Sequence, residues 1–320
     1  MRAAPRALLD SCRVQRAHHG GMTHSSTFTG VALVALASVL WGTTGTAQSL
    51  GAGGLSPFWV GAAQLAVASA FFLCLQALGR QPLAERPRVP RAWLALASLG
   101  IAGYSIAFYA GVRLAGVGVG TAVAIGSGPV WAGLIQALFQ RAPLPGLWWL
   151  GVAISVGGGA CMVLDKGAAA QPSWPGLALC LLAGLSYAGY ALVNKRLVAR
   201  APSGWVNLRA FSGAAALALP AAWLLAGAPA FHANALAVVL YLGVVVSGLA
   251  YVAFSSGLRH ISGATGVTLT LIEPVAAFAL AILVVGERPS ALAFWGLGGV
   301  LAGLLVVIWA ELRAAPKLRA

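Results

Sequence analysis

Long apolar runs separated by short polar stretches dominate the chain. A helix that crosses a bilayer needs about 20 mostly apolar residues. Ten runs meet that length: 30–50, 57–79, 92–112, 117–138, 146–165, 175–195, 204–226, 234–258, 263–285 and 290–310. The connections between them are short, so successive helices are expected to run antiparallel. The third and fourth runs are divided only by the glycine-rich stretch from Arg113 to Gly120.

Composition supports lipid as the solvent for this surface. Of the 320 residues 60% are hydrophobic and only 8% charged, with a mean hydropathy of +0.87, whereas a soluble domain carries roughly a quarter charged residues. The formal charge of +14 would ordinarily raise nucleic acid as a partner. Here the basic residues sit at the ends of apolar runs, so membrane topology accounts for them and no nucleic acid is expected. With ten spans and a cytoplasmic N-terminus, only Arg113, Lys166 and Arg288 of the 20 Lys and Arg residues fall on outer segments. That asymmetry follows the positive-inside rule. The expected location is the cell (inner) membrane, with both termini cytoplasmic.

Residues 1–27 are expected to be a cytoplasmic tail without order. They hold Arg2, Arg6, Arg13 and Arg16 but no apolar region followed by a small-residue cleavage site, so they do not read as a signal peptide. Met22 offers an alternative start. Cys12 lies in this tail, and Cys74, Cys161 and Cys180 fall inside apolar runs without CxxC or Cys/His spacing. Neither a metal site nor a disulfide framework is expected, and no cofactor.

The chain repeats itself at an offset of about 146. Trp41, Thr44 and Gln48 in the first run match Tyr187, Tyr190 and Asn194 in the sixth, aromatic, hydroxyl and amide in turn. The spacing i, i+3, i+7 puts each trio on one helical face. Gly111-Val112-Arg113 matches Gly257-Leu258-Arg259, and Pro129-Val130 matches Pro274-Val275 one residue out of step. Two repeats follow, 28–165 and 174–310, with 311–320 as a cytoplasmic C-terminal tail. Five helices is an odd number, so the second copy must enter the membrane upside down. The fold class expected is therefore all-α integral membrane: ten transmembrane helices as two inverted five-helix repeats. In such proteins the substrate lies near the midplane between the repeats.

Several segments carry a family resemblance: Leu40-Trp41-Gly42, Arg209 early in the seventh run, Leu271-Ile272-Glu273-Pro274-Val275, and Gly286-Glu287-Arg288-Pro289. Together they resemble the EamA-type ten-helix proteins of the drug/metabolite transporter superfamily. The first half departs from the pattern, with Gln140-Arg141 where the Gly-Glu pair would fall and Ala63 or Gln64 opposite Arg209. The resemblance implies alternating-access export or exchange of small metabolites such as amino acids and amines.

Glu273 is the sharpest candidate for chemistry, an acidic residue about eleven positions into the ninth run. A charge at the bilayer centre costs on the order of 3 kcal/mol and by default marks function. It is expected to share a face with Gly266, Thr270 and Ala277, all small, which leaves room for a cavity or a close neighbour. It suits proton exchange or pairing with a cationic substrate; a carboxyl merely bonded to another helix is the alternative. Pro129 and Pro274 are expected to interrupt equivalent helices, since proline removes a backbone donor; plain kinks would also suit. The trios Trp41, Thr44, Gln48 and Tyr187, Tyr190, Asn194 suit a cavity wall, although amides also join helices. Tyr104, Tyr109 and Tyr251 are further candidates, and Ser247 and Ser255 share a face with Tyr251. Snorkelling to the headgroups is the expected role of Arg209.

A membrane enzyme is disfavoured. Gly126-Ser127-Gly128 lacks a base, because His18, His19, His24, His232 and His260 lie in tails or connections. A passive channel is the other alternative. The expected partners are a small-molecule substrate and the lipid bilayer; oligomeric state is open.

Overall fold

The structure, a computed structural model, describes residues 24–51, 54–79, 89–115, 117–139, 141, 143–164, 173–286 and 289–314. Arg2, Arg6, Arg13, Arg16, Lys166, Glu287 and Arg288 lie outside them, as do Cys12, Met22 and residues 1–23 and 315–320 of the expected tails. Residues 24–27 and 311–314, assigned to those tails from the sequence, are helical.

Within those residues the protein is all-helical, without strands. Helix α1 spans Ser26–Gln48 in two pieces, His24–Gly42 and Thr44–Gly51. The first half continues with α2 (Pro57–Leu78), α3 (Arg91–Ala115), α4 (Val117–Phe139) and α5 (Gly146–Leu164). The second half holds α6 (Trp174–Val198), α7 (Ser203–Ala226) and α8 (Ala233–Gly257), the last with a π-helical stretch at Leu242–Leu249. Helix α9 consists of Gly263–Leu269, Ile272–Leu280 and a π-helical end at Ala281–Val285, and α10 is Ala291–Ala314. Among the described residues nine of these are long and apolar enough to cross a bilayer; α5, at 19 residues, is the tenth expected run.

The outward faces carry side chains that water would penalise. Leu78, Phe139, Trp174, Leu224 and Leu283 are each at least 80% exposed, and contiguous apolar surface of this kind belongs against lipid.

The helices pack as two equivalent halves. Each major contact has a counterpart when α1–α5 are exchanged with α6–α10: α3 on α6 and α8 on α1, α4 on α6 and α9 on α1, α3 on α7 and α8 on α2. The pairs α2–α7, α4–α9 and α5–α10 map onto themselves. The crossing glycines repeat as well. A Cβ on Gly111 would lie 3.1 Å from the Gly176 carbonyl oxygen, and one on Gly257 would lie 2.9 Å from that of Gly30. Inversion is visible at the arginines. Leu114, next to Arg113, accepts the Ser173 hydroxyl at the start of α6, whereas Arg259 donates to the Ala201 carbonyl just past the end of α6. Equivalent arginines thus stand at opposite ends of the bundle.

Gly299 and Gly303 seal α10 onto α5 inside the chain. A Cβ on Gly151 would lie 2.8 Å from the Gly303 carbonyl oxygen, and one on Gly299 would lie 3.1 Å from Gly158 Cα. Small residues permit this close approach between membrane helices.

Two local expectations are corrected. Pro129 does not interrupt its helix, for α4 runs unbroken from Val117 to Phe139. Helix α9 does break, between Leu269 and Ile272, so Gly266 and Thr270 do not continue the helical face of Glu273 and Ala277. The proline pair therefore gives one continuous span and one divided span. Pro274 sits in the first turn of the second piece, where a missing N–H costs least.

Candidate functional site

The division of α9 has a local cause. Pro274 brings no N–H to the Thr270 carbonyl, and the Glu273 N–H takes that acceptor instead at 2.8 Å. The Leu269 carbonyl is thereby released from its own helix and lies 3.3 Å from the Ser38 hydroxyl of α1, whose nearer acceptor is the Val34 carbonyl at 2.8 Å. Thr270 turns its hydroxyl back to the Val267 carbonyl at 2.7 Å. Glu273 consequently stands in the first turn of a half-helix, where the exposed N–H groups favour negative charge.

Helix α1 is pressed against that half-helix. A Cβ on Gly42 would meet Ala276 Cβ at 2.6 Å and the Glu273 carbonyl oxygen at 2.8 Å. Trp41, the preceding residue, is 7% exposed and donates its indole N–H to the Val246 carbonyl at 2.9 Å. Val246 belongs to the π-helical stretch of α8, where the wider winding loosens the backbone bonding.

An aromatic cluster surrounds this point. The Trp41 ring lies 5.0 Å from Tyr251, 5.2 Å from Phe254 and 6.2 Å, edge-on, from Tyr187. Tyr187 in turn lies 5.6 Å from Tyr104 and 6.4 Å from Tyr190. Glu273 stands near Tyr104, Tyr187 and Tyr251, residues of α3, α6 and α8. These three tyrosines and Glu273 are each partly buried and keep some surface accessible. Among the described residues the buried Tyr187 hydroxyl has no hydrogen-bond partner.

The remaining candidates fall elsewhere. Thr44 returns its hydroxyl to the Trp41 carbonyl at 2.6 Å. Gln48 reaches the Tyr109 hydroxyl, away from the ring cluster and connected to it through Phe108, which lies 5.5 Å from both Tyr104 and Tyr109. Asn194 is fully buried. Its amide donates to the Ser255 hydroxyl at 2.9 Å, Ser255 donates to Asn207 at 2.8 Å, and Asn207 donates to the Tyr251 carbonyl at 3.0 Å. That chain joins α6, α7 and α8, and Asn194 is part of it rather than of the aromatic cluster. Arg209 is exposed, with its guanidinium 5.5 Å from the Trp205 ring.

Phe254, Asn207 and Ser38 are participants that the sequence reading passes over. Phe254 carried a signal, since it follows Phe108 by 146 residues. Asn207 and Ser38 are ordinary polar residues of apolar helices, and only the fold reveals their partners.

Comparison with known proteins now bears on this arrangement. A family model described as the EamA-like transporter family matches the chain twice, over residues 28–164 and 174–309. The chain belongs to the EamA-like transporter family. It is 30% identical over 288 residues to the uncharacterized transporter YwfM of Bacillus subtilis (strain 168), covering 89% of this chain and 93% of that one. An uncharacterized transporter of Clostridium kluyveri is 26% identical over 136 residues, 41% of this chain and 43% of its own. A protein known from a crystal structure shares the fold with a TM-score of 0.76 at 20% identity, over 92% of this chain and 99% of its own. This EamA-like protein is a multi-pass membrane transporter.

Proposed function

We infer that the protein exports or exchanges small organic cations, amines and amino acids among them, by alternating access between its two halves. The observation that carries the reading is Glu273, placed in the first turn of a divided helix and surrounded by Trp41, Tyr104, Tyr187 and Tyr251. Aromatic faces attract a cation through the ring quadrupole, by up to about 2 kcal/mol when desolvated. A carboxylate among them supplies the countercharge, and the tyrosine hydroxyls supply hydrogen bonds that orient the cargo.

The same carboxyl accommodates a proton in place of the amine. A buried site that holds either one, but not both, makes proton uptake and substrate release a single exchange. The two halves contribute unequally. The position matching Glu273 in the first half, by the Pro129–Pro274 offset, is Gly128, so only one half supplies charge. A Cβ on Gly128 would lie 3.3 Å from Val267 and 4.0 Å from Tyr187, and a larger residue would crowd the Tyr187 ring.

The orientation that agrees with the positive-inside rule puts the ends bearing Arg91, Lys195, Arg196, Arg200, Arg259 and Arg313 in the cytoplasm. Counterflow in proteoliposomes tests the function. Vesicles preloaded with an unlabelled amine are expected to accumulate the labelled amine transiently. Accumulation that tracks only the label's own gradient would mark a channel, and accumulation of no amine or amino acid would remove the reading.

A further inference from the structure

The end of the bundle opposite Arg113 carries a second concave site, which the transport reading does not use. Between the end of α6, the start of α7 and the end of α8 lies a cavity of about 740 Å³. Four cations line it: Lys195, Arg196, Arg200 and Arg259. Its lower wall is apolar, with Leu192 and Val198.

The cations are held rather than trailing. Lys195 donates to the Leu258 and Ile261 carbonyls at 2.8 and 2.5 Å. Arg259 spends one N–H on the Ala201 carbonyl at 2.9 Å. The guanidiniums of Arg196 and Arg200 both lie over the Trp93 ring of α3, at 5.6 and 4.8 Å. Among the described residues Glu311 acts on one of them, Lys195, and the three arginines have no acidic partner. The described acidic residues are Glu273 and Glu311. Both oxygens of Glu311 are engaged, accepting from the Ser262 N–H and the Thr265 hydroxyl at 2.6 Å each. The positive-inside rule explains why basic residues favour this side. It does not explain why four of them converge on one cavity, two of them fixed on a single indole.

We propose that this cavity binds the phosphate-bearing headgroup of an anionic phospholipid. Guanidiniums pair with phosphate oxygens through a fork of parallel N–H bonds, and basic recesses between helices at the membrane surface suit such headgroups. The apolar wall favours a lipid over a free phosphate compound, because the glycerol and the first acyl carbons have a surface to cover. The bound lipid would bridge α6 and α8 beside the connection to α9, and so bear on the movement of the divided helix.

Native mass spectrometry of the full-length protein in detergent tests this with phosphatidylglycerol and phosphatidylcholine of the same short chain length. Retention of phosphatidylglycerol is expected to exceed that of phosphatidylcholine. Arg200→Gln and Arg259→Gln are each expected to lower it about fivefold, the worth of one basic residue near an anionic surface. Arg209→Gln, which removes an exposed arginine outside the cavity, is expected to leave it unchanged. Equal retention of the two lipids by the unmodified protein would overturn the proposal. So would a loss in Arg209→Gln as large as in the cavity variants, which would indicate diffuse charge. Displacement of the lipid by millimolar inorganic phosphate would assign the site to a free anion instead.

Discussion

Gly42 of α1 packs directly on the backbone of Glu273, so closely that a Cβ would stand 2.8 Å from the Glu273 carbonyl oxygen and 2.6 Å from Ala276 Cβ. Backbone cannot yield as a flexible side chain does. Gly42→Ala is therefore expected to push α1 off the half-helix, at a cost of about 1–3 kcal/mol typical of overpacking. A lower melting temperature in detergent together with impaired uptake would bear this out; wild-type values of both would show that the contact is slack.

Trp41 is held by one hydrogen bond to Val246 and by ring contacts to Tyr251 and Phe254. Trp41→Phe keeps the apolar ring but leaves the π-helical carbonyl without its donor. A net hydrogen bond is worth about 0.5–1.5 kcal/mol. A modest loss of stability with weakened substrate affinity is expected, while Trp41→Ala is expected to abolish transport. Uptake kinetics across the two variants would separate ring from N–H.

The Asn194–Ser255–Asn207 chain should behave as structure, not as a binding surface. Ser255→Ala strands the Asn194 amide and the Asn207 carbonyl oxygen in a buried place, and an unsatisfied buried group costs about 1–3 kcal/mol. Thermal stability is expected to fall with the apparent affinity for substrate intact. A change confined to affinity would put this chain in the site.

Glu311 anchors the first piece of α9 from α10. It accepts from Ser262 and Thr265, and Thr265 also receives the Trp148 indole N–H at 3.2 Å. Glu311→Ala is expected to destabilise the protein by about 1.5–3 kcal/mol, the worth of a hydrogen bond to a charged group. Scanning calorimetry or a dye-based melt would read the loss.

Much of the architecture was legible before any coordinates. The ten apolar runs, the offset of 146 and the alternation of basic ends depend on the solvent and on helix length, which composition records directly. The matched trios announced the repeat, and Trp41, Tyr187 and Glu273 do meet in space. The trios did not stay whole, however, because an amide in an apolar helix satisfies itself with whichever neighbour is nearest. For Asn194 that neighbour is Ser255, a residue 61 positions away. The prolines misled for a related reason. Pro129 and Pro274 look equivalent in sequence, yet only the second follows a break in its helix, where the Leu269 carbonyl faces the Ser38 hydroxyl of α1. Helix α4 stays continuous. The π-helical stretches left no mark in the apolar pattern, since Val and Leu suit either winding.

Glu273→Gln tests the central claim most directly. The substitution keeps the size of the side chain but removes its carboxylate charge. In proteoliposomes with an imposed pH gradient, the wild-type protein is expected to drive uptake of a labelled amine, and the variant is expected to lose gradient-driven uptake while remaining folded. Amine uptake by Glu273→Gln that still followed the pH gradient would contradict the account.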